Sequence, residues 1–516
     1  MTKKRLNFLF LLVIFLAILL RVIKLAEIPS ILNRDEAALA YNAYLIKNTG
    51  MDEWQVKHPL LFKSFGDYKL PGYPYILAFL FNFLPINDVV TKLPSVVAGV
   101  GLVIIAFYWG KNILKLKQPS SLIFALLLAV NPIFLFYSRI AFEANVALFL
   151  FVLALYLLFK EEKLIKKRYL FDFLALVLII LALLTYNTPL LLLPFLIPII
   201  IYWRSKRSWK FTLPVIAGII IVFLFSFQQL ASLMSQKSSI TIFTDPTILQ
   251  NYPSYRQHFS GIFATLLGNR YAYFLLIIIK NFFNSFSPAF VVYRGGSHPW
   301  HSLFNWGHLF YSSYFLAVAG IFYSIYYVIK NKNLKKRSVF LLYLLIISLA
   351  PAVVTVDAPH ATRSLFFFFL LLGFTSLIFE EIYDKIKFKK LFLVIFLLIL
   401  SVEASYYYHQ YFFAYPKHQP QSLWPEYKDL ITSAENQFPE QKITVIDPDG
   451  YQYILTAWYL KIPASEFFAT MQYQEPDLIN FYYGGQLTHY RFVRNRADLS
   501  EQNKIIISQE KGLEKL

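Results

Sequence analysis

Residues 3–20 read KKRLNFLFLLVIFLAILL, three cations followed by a long apolar run. A bilayer core needs about 20 consecutive apolar residues to be crossed by a helix. The run supplies a first span over roughly Leu6–Leu25. No small-residue cleavage site follows it, so the segment reads as a retained helix that also directs insertion, not as a removable signal. Lys3, Lys4 and Arg5 hold its N-terminus on the cytoplasmic side. Working outward, ten further apolar segments follow: 90–110, 120–137, 144–160, 169–186, 189–203, 211–229, 308–329, 338–356, 364–380 and 389–405.

Composition agrees with this reading. Hydrophobic residues make up 57% of the 516, with 52 Phe and 36 Tyr, and only 15% are charged. Soluble domains carry about 25% charged residues. The net charge of +19 would point to nucleic acid in a soluble chain. Here the cations sit in short clusters between apolar runs: Lys111–Lys117, Lys160–Arg168, Arg204–Lys210, Lys330–Arg337 and Lys385–Lys390. With eleven spans every cluster falls on the cytoplasmic side, and no nucleic-acid partner is expected. The chain has no cysteine, which excludes disulfides, thiolate nucleophiles and Cys-based metal sites. The segment 271–293 is apolar at first but soon interrupted by Lys280, Asn281 and Asn284. It reads as interfacial or re-entrant.

The expected fold class is therefore mainly α: a polytopic transmembrane bundle of about 11 spans over 1–405. Its outer loops include 27–89 and 230–307. The tail, 406–516, reads as a small extracytoplasmic α/β domain. Lys442–Ile446 and Lys504–Ser508 have the character of buried strands, and Tyr451–Leu460 that of a helix after the turn Asp447-Pro-Asp-Gly450.

The informative residues are charges on the outer side, because charge at membrane depth is costly and usually functional. Asp35 and Glu36 open a helical stretch, where backbone N–H groups favour negative charge. Simple capping would also place them there. Ala37, Ala40, Tyr41 and Tyr44 share a face, so this helix is expected to lie on the membrane surface. Asp67, Tyr68 and Lys69 precede a stiff Pro71-Gly72 turn, and Lys69 suits an anionic group. Arg139 and Glu143 share a face if their turn is helical. His360 and Arg363 begin a helix, a good arrangement for an anion. His298, His301 and His308 in the loop 294–308 invite a metal reading, but without Cys or a helical HExxH pair. Interfacial aromatics and a glycine turn covering a substrate explain that loop as well.

These features, in order over residues 1–405, resemble the GT-C superfamily of membrane glycosyltransferases. The likeness is greatest to the protein O-mannosyltransferase branch, with the aminoarabinose transferase of lipid A. The motifs are Asp35-Glu36, Lys69-Leu-Pro71, Lys92-Leu-Pro94-Ser95, Ser138-Arg139-Ile-Ala-Phe-Glu143 and His360-Ala-Thr-Arg363. The resemblance implies a polyprenyl-phosphate-linked sugar as donor and inversion at the anomeric carbon. The acceptor would be a hydroxyl on a protein, lipid or glycan at the outer face of the cell membrane. It implies Asp35 as general base with Glu36 beside it, and Lys69 at the donor phosphate. Arg139, Arg363 and His360 are further candidates there, with Asp67, Tyr68 and Glu143 in support. Tyr68 stands where the lipid A branch tends to have Glu, and Leu70 replaces a proline. Any divalent metal held by that Glu is therefore in doubt. Two rival readings are a transporter or flippase for lipid-linked sugars and a polysaccharide polymerase or ligase of another fold. A transporter would place its charges near the midplane on broken helices.

Overall fold

The structure, a computed structural model, describes residues 3–515 apart from 66, 163, 205–208, 235–240, 297, 299, 304, 331–334, 440, 478–480 and 500–504. Among the described residues, eight helices are long and apolar enough to cross a membrane. They are Lys3–Val22, Asp88–Ile113, Ile165–Thr185, Trp209–Gln228, Tyr311–Ile329, Lys336–Val353, Thr362–Lys385 and Lys389–Lys417. The pair Gln118–Val130 and Pro132–Ser138, bent by 55°, adds a ninth if counted as one span. Glu143–Phe159 and Thr188–Trp203 are shorter apolar helices. Each apolar segment expected to cross the bilayer coincides with one of these helices, and the chain is a mainly helical membrane protein.

The chain divides into two compact units. The first comprises Met1–Ile23, Val96–Ser138 and Ala144–Tyr411. Its bent helix has a local cause. Pro132 lacks an N–H and pushes the preceding residue out of the helical region, and Asn131 is extended at φ −67, ψ 144. Leu128 O, the carbonyl that Pro132 leaves without a donor, accepts from Arg21 Nη2 at 3.3 Å, while the Asn131 side chain donates to Leu127 O and Ser313 Oγ and accepts the Phe310 N–H. Arg21, fully buried, donates to the carbonyls of Ala17, Ala129, Leu128 and Phe134 and to Ser138 Oγ.

Arg168 and Arg204, each part of a cation cluster between spans, are buried on the Asp172 carboxylate. Arg204 also donates to Leu158 O at 2.8 Å. Helix Arg270–Phe286, within the ambiguous segment, is amphipathic. Tyr271, Leu275, Leu276, Ile279 and Phe283 are exposed, while Phe274, Asn281 and Ser285 are buried. Asn281 donates to Val353 O and Thr355 O.

The second unit comprises Lys24–Ser95, Arg139–Glu143 and Phe412–Leu516. A short hairpin, β1 (Phe62–Ser64) and β2 (Asp67–Lys69), pairs Phe62 with Lys69. The tail carries a six-stranded mixed sheet of β3 (Ile443–Ile446), β4 (Gln472–Tyr473), β5 (Gly484–Leu487), β6 (Tyr490–Val493), β7 (Ile505–Ser508) and β8 (Gly512–Lys515). The order is β4-β5-β6-β3-β7-β8. Central β3 runs parallel to both β6 and β7. Parallel strands are covered on both faces and so read as unbroken apolar runs, as Ile505-Ile506-Ile507 does.

Helix Arg34–Thr49 departs from expectation. Ala37, Ala40 and Tyr41 are buried by protein, not laid on lipid. Tyr41 donates to Ile462 O at 2.8 Å and packs on Phe467. The apolar face that suggested a membrane surface is a core face.

The first unit has a steric test at Gly99. A methyl there would meet Ser138 Oγ at 1.9 Å, Ser138 Cβ at 2.7 Å and Arg21 Nε at 2.8 Å. The hydroxyl can rotate away, but the Cβ cannot. Gly99→Ala is expected to cost about 1–3 kcal/mol by overpacking, read as a lower melting temperature of the purified protein in detergent. An unchanged melting temperature would show that the Arg21–Ser138 cluster yields freely.

Candidate functional site

The residues singled out in the loop after the first span converge in the second unit. Asn33 caps the helix Arg34–Thr49: its Oδ1 accepts the N–H groups of Asp35 and Glu36 at 2.9 and 3.0 Å. Glu36 returns the contact through Oε2, which accepts the Asn33 N–H at 3.0 Å. This is a reciprocal capping box, and it fixes the first turn. Gly50, at φ +73, ends the helix in the left-handed conformation a C-terminal glycine supplies.

From that turn Asp35 projects with its side chain 34% exposed and meets Lys69 Nζ at 2.7 Å. Lys69 is 9% exposed at the end of β2, just before the helix Gly72–Leu80. Burial disfavours its charge, but the carboxylates of Asp35 and Glu143 outweigh that and hold its pKa above the ordinary lysine value. The site thus presents a half-exposed carboxylate beside an ammonium kept cationic. The sequence could not show that residues 34 positions apart form an ion pair; the structure does.

Glu36 differs from its neighbour. It is 1% exposed, and its second oxygen accepts the Ala141 N–H at 2.5 Å. Burial is the main reason its pKa lies above the ordinary carboxylate value, opposed by Lys92 and the two N–H donors. Residues 139–142 are not helical, against the expectation of a helical turn bringing Arg139 and Glu143 to one face. Phe142 N bonds Ile140 O at 2.9 Å in a tight turn, and a helix restarts at Glu143.

Arg139 is fully buried, donates to Lys24 O and Ile28 O, and lies over the Phe412 ring. Lys92, quoted above only as part of a motif, is likewise buried on Leu25 O and Pro29 O. Tyr68 is half-buried. Asp67 is placed by its backbone in β2, but its side chain lies outside the described ones.

His360 and Arg363 belong to the first unit. Arg363 pairs with Asp357 and donates to Thr355 Oγ1 at 2.9 Å. His360 Nε2 is 3.5 Å from Asp357. Burial and the Arg363 charge push the His360 pKa down to about 3, so it is neutral at physiological pH and carries no charge to an anion. His298 stacks on His301 at 4.1 Å, and His301 meets His360 at 4.8 Å. Among the described residues no group of three or more His, Asp or Glu is arranged to hold a metal ion.

One buried acid escaped the sequence reading. Glu53 accepts Asn42 Nδ2 at 3.0 Å, Tyr453 OH at 3.0 Å and Tyr473 OH at 3.2 Å. Nothing in its local sequence marks it, because its phenolic partners lie some 400 residues away.

Comparison with known proteins bears on the arrangement. Residues 57–228 match the profile of a family described as dolichyl-phosphate-mannose-protein mannosyltransferase. No curated protein matches the chain. Among solved structures, the apo oligosaccharyltransferase of Archaeoglobus fulgidus is similar with a TM-score of 0.56 and 15% identity, over 89% of this chain and 64% of that one. The same enzyme, AglB, in complex with an inhibitory peptide and a dolichol-phosphate gives 0.55 and 14%, over 89% and 64%. ArnT of Cupriavidus metallidurans bound to undecaprenyl phosphate gives 0.51 and 12%, over 89% and 84%. The chain thus shares the fold of these structures, and it spans 64% of the length of the oligosaccharyltransferase it resembles.

Glu53 supplies a pH test of this unit. Burial pushes its pKa up to about 7 from an ordinary 4.5, against the hydrogen bonds that favour the carboxylate. A carboxyl whose folded pKa is raised stabilises the fold fully below the unfolded pKa, and that contribution is lost as pH rises through about 7. The wild type is expected to lose roughly 3 kcal/mol from this group between pH 4.5 and 8. Thermal melting at pH 5 and 8 checks it: Glu53→Gln should shrink the difference between the two, and an identical difference in both proteins would refute the assignment.

Proposed function

We propose that this protein is an inverting glycosyltransferase that moves a sugar from a polyprenyl-phosphate-linked donor to an acceptor hydroxyl on a protein, lipid or glycan. The observation that carries the reading is the Asp35–Lys69 pair at the capped start of Arg34–Thr49, with Asp35 still one-third exposed. The GT-C fold, the mannosyltransferase profile over 57–228 and the polyprenyl phosphates held by two similar structures support it. The active side is proposed to be extracytoplasmic, at the plasma membrane, because the cation clusters between spans then face the cytoplasm.

The chemistry follows from what the two side chains offer. An acceptor hydroxyl is a poor nucleophile until its proton leaves. Asp35, partly solvated and held as a carboxylate partner of Lys69, takes that proton as the acceptor oxygen bonds to the anomeric carbon. On the opposite face the bond from that carbon to the phosphate oxygen breaks, and its electron pair leaves with polyprenyl phosphate. Negative charge grows on that phosphate, and the Lys69 ammonium stabilises it once the sugar has entered between it and Asp35 and opened their ion pair. One carboxylate acting as base, with no second as nucleophile, gives a single displacement and inversion. The phosphate role implied for Arg363 and His360 requires the anion to replace Asp357 on Arg363. The same role for Arg139 requires it to leave the carbonyls of Lys24 and Ile28.

The test is transfer from a panel of labelled undecaprenyl-phosphate sugars to a cell-envelope extract by the purified protein. Wild type should turn over one member without an ion gradient, which a transporter would not. Asp35→Asn is expected to lower that turnover by about 10²–10⁴-fold while undecaprenyl phosphate still binds. Full activity in Asp35→Asn would overturn the assignment.

A further inference from the structure

Asp35 and Glu36 are adjacent carboxylates of one helical turn, yet their surroundings differ in kind. Asp35 is one-third exposed and faces an ammonium. Glu36 is 1% exposed, and each of its oxygens already accepts a backbone N–H, from Asn33 at 3.0 Å and from Ala141 at 2.5 Å. At 1% exposure, with a backbone N–H on each oxygen, this carboxylate is closed to an acceptor hydroxyl arriving from solvent.

What the two contacts join matters. Asn33 is the cap of the turn that presents Asp35. Ala141 is the middle of the tight turn that leads into Glu143. The following residue is pinned as well: Phe142 N donates to Ser95 Oγ, and Ser95 Oγ lies 3.2 Å from Phe142 O. Glu143 in turn is one of the two charges that hold Lys69 cationic. The Glu36 carboxylate is thus the bridge between the two backbone segments whose acids act on Lys69.

We propose that Glu36 is a positioning residue that acts through Asp35. It ties the Asp35 turn to the 139–143 segment, so that Asp35, Lys69 and Glu143 keep their mutual geometry. The inference rests on Asp35 being the base. Misplacement of a reacting group by about 1 Å costs on the order of 10²-fold in rate. Glu36→Gln turns one acceptor oxygen into an N–H donor aimed at a backbone N–H, and so breaks one of the two contacts.

Two variants approach the bridge from its two ends. Glu36→Gln alters the acceptor. Ala141→Pro removes the donor and puts the ring Cδ where the N–H stood, so the Glu36 carboxylate must swing off the turn; the backbone itself accepts the change, because an i to i+2 turn centred on Ala141 has a φ near that of proline and Ala141 is not among the residues of positive φ. Both are measured on the full-length protein with the undecaprenyl-phosphate sugar that wild type turns over. Each should lower kcat by about 10–100-fold and leave the donor KM within about threefold, with a melting temperature lowered by a few degrees because a buried polar atom loses its partner. Wild-type kcat in both variants would overturn the proposal. So would a raised KM with unchanged kcat, or a Glu36→Gln loss as complete as that of Asp35→Asn, which would make Glu36 a catalytic group. Should Glu36→Gln not fold, Ala141→Pro decides alone. An active Asp35→Asn variant sinks the functional reading instead, so the two failures are distinct.

Discussion

A carboxylate removed from water must find donors or lose its charge. That constraint organises the second unit. Glu36 meets it with two backbone N–H groups, and in doing so sets where the helix Arg34–Thr49 begins and where the turn at 139–143 lies. Glu53 meets it with an amide and two phenols. Asp447 meets it with the N–H groups of Gly450 and Gln452, both at 2.7 Å. Asp35 needs less, because it keeps part of its hydration and has Lys69. It is the acid that the fold leaves open.

The buried cations obey the complementary rule. Helix ends leave carbonyls without partners, and guanidinium and ammonium groups can collect several at once. Arg21 does so in the first unit, while Arg139 and Lys92 do so in the second. Outer charges that positive-inside sorting does not explain therefore divide into two kinds. Some hold broken backbone together; Lys69 remains beside a half-exposed acid.

The membrane-spanning architecture was legible because its cause is local: apolar runs of sufficient length, separated by cations. The tail strands 443–446 and 505–508 were legible for the same reason, as compact apolar runs beside turn residues. Long-range pairing was not. The face Ala37, Ala40, Tyr41 is equally apolar whether it meets lipid or Phe467, so periodicity could not choose between them. Arg168 and Arg204 look like loop cations until Asp172 is folded between them. Asn33-x-x-Glu36 carries its capping box openly in the sequence, but nothing local tells that the same carboxylate reaches Ala141. Asp35, Glu36 and Lys69 were singled out by their order along the chain, and the difference between their surroundings appears only with burial.

The partners of Glu53 and Tyr41 have a consequence for how the protein is made. Glu53 waits for Tyr453, 400 residues on, and Tyr41 for Ile462, 421 residues on. Contacts so distant in sequence are slow to form, because the entropy of closing the intervening chain is lost before they reward it. The first outer loop is synthesised early, yet it cannot shed its water until nearly every span has been inserted and the tail has followed. The loop that carries Asp35 is thus among the first parts translated and the last to be closed over, so a truncated or stalled chain leaves its carboxylates hydrated and its helix unpacked.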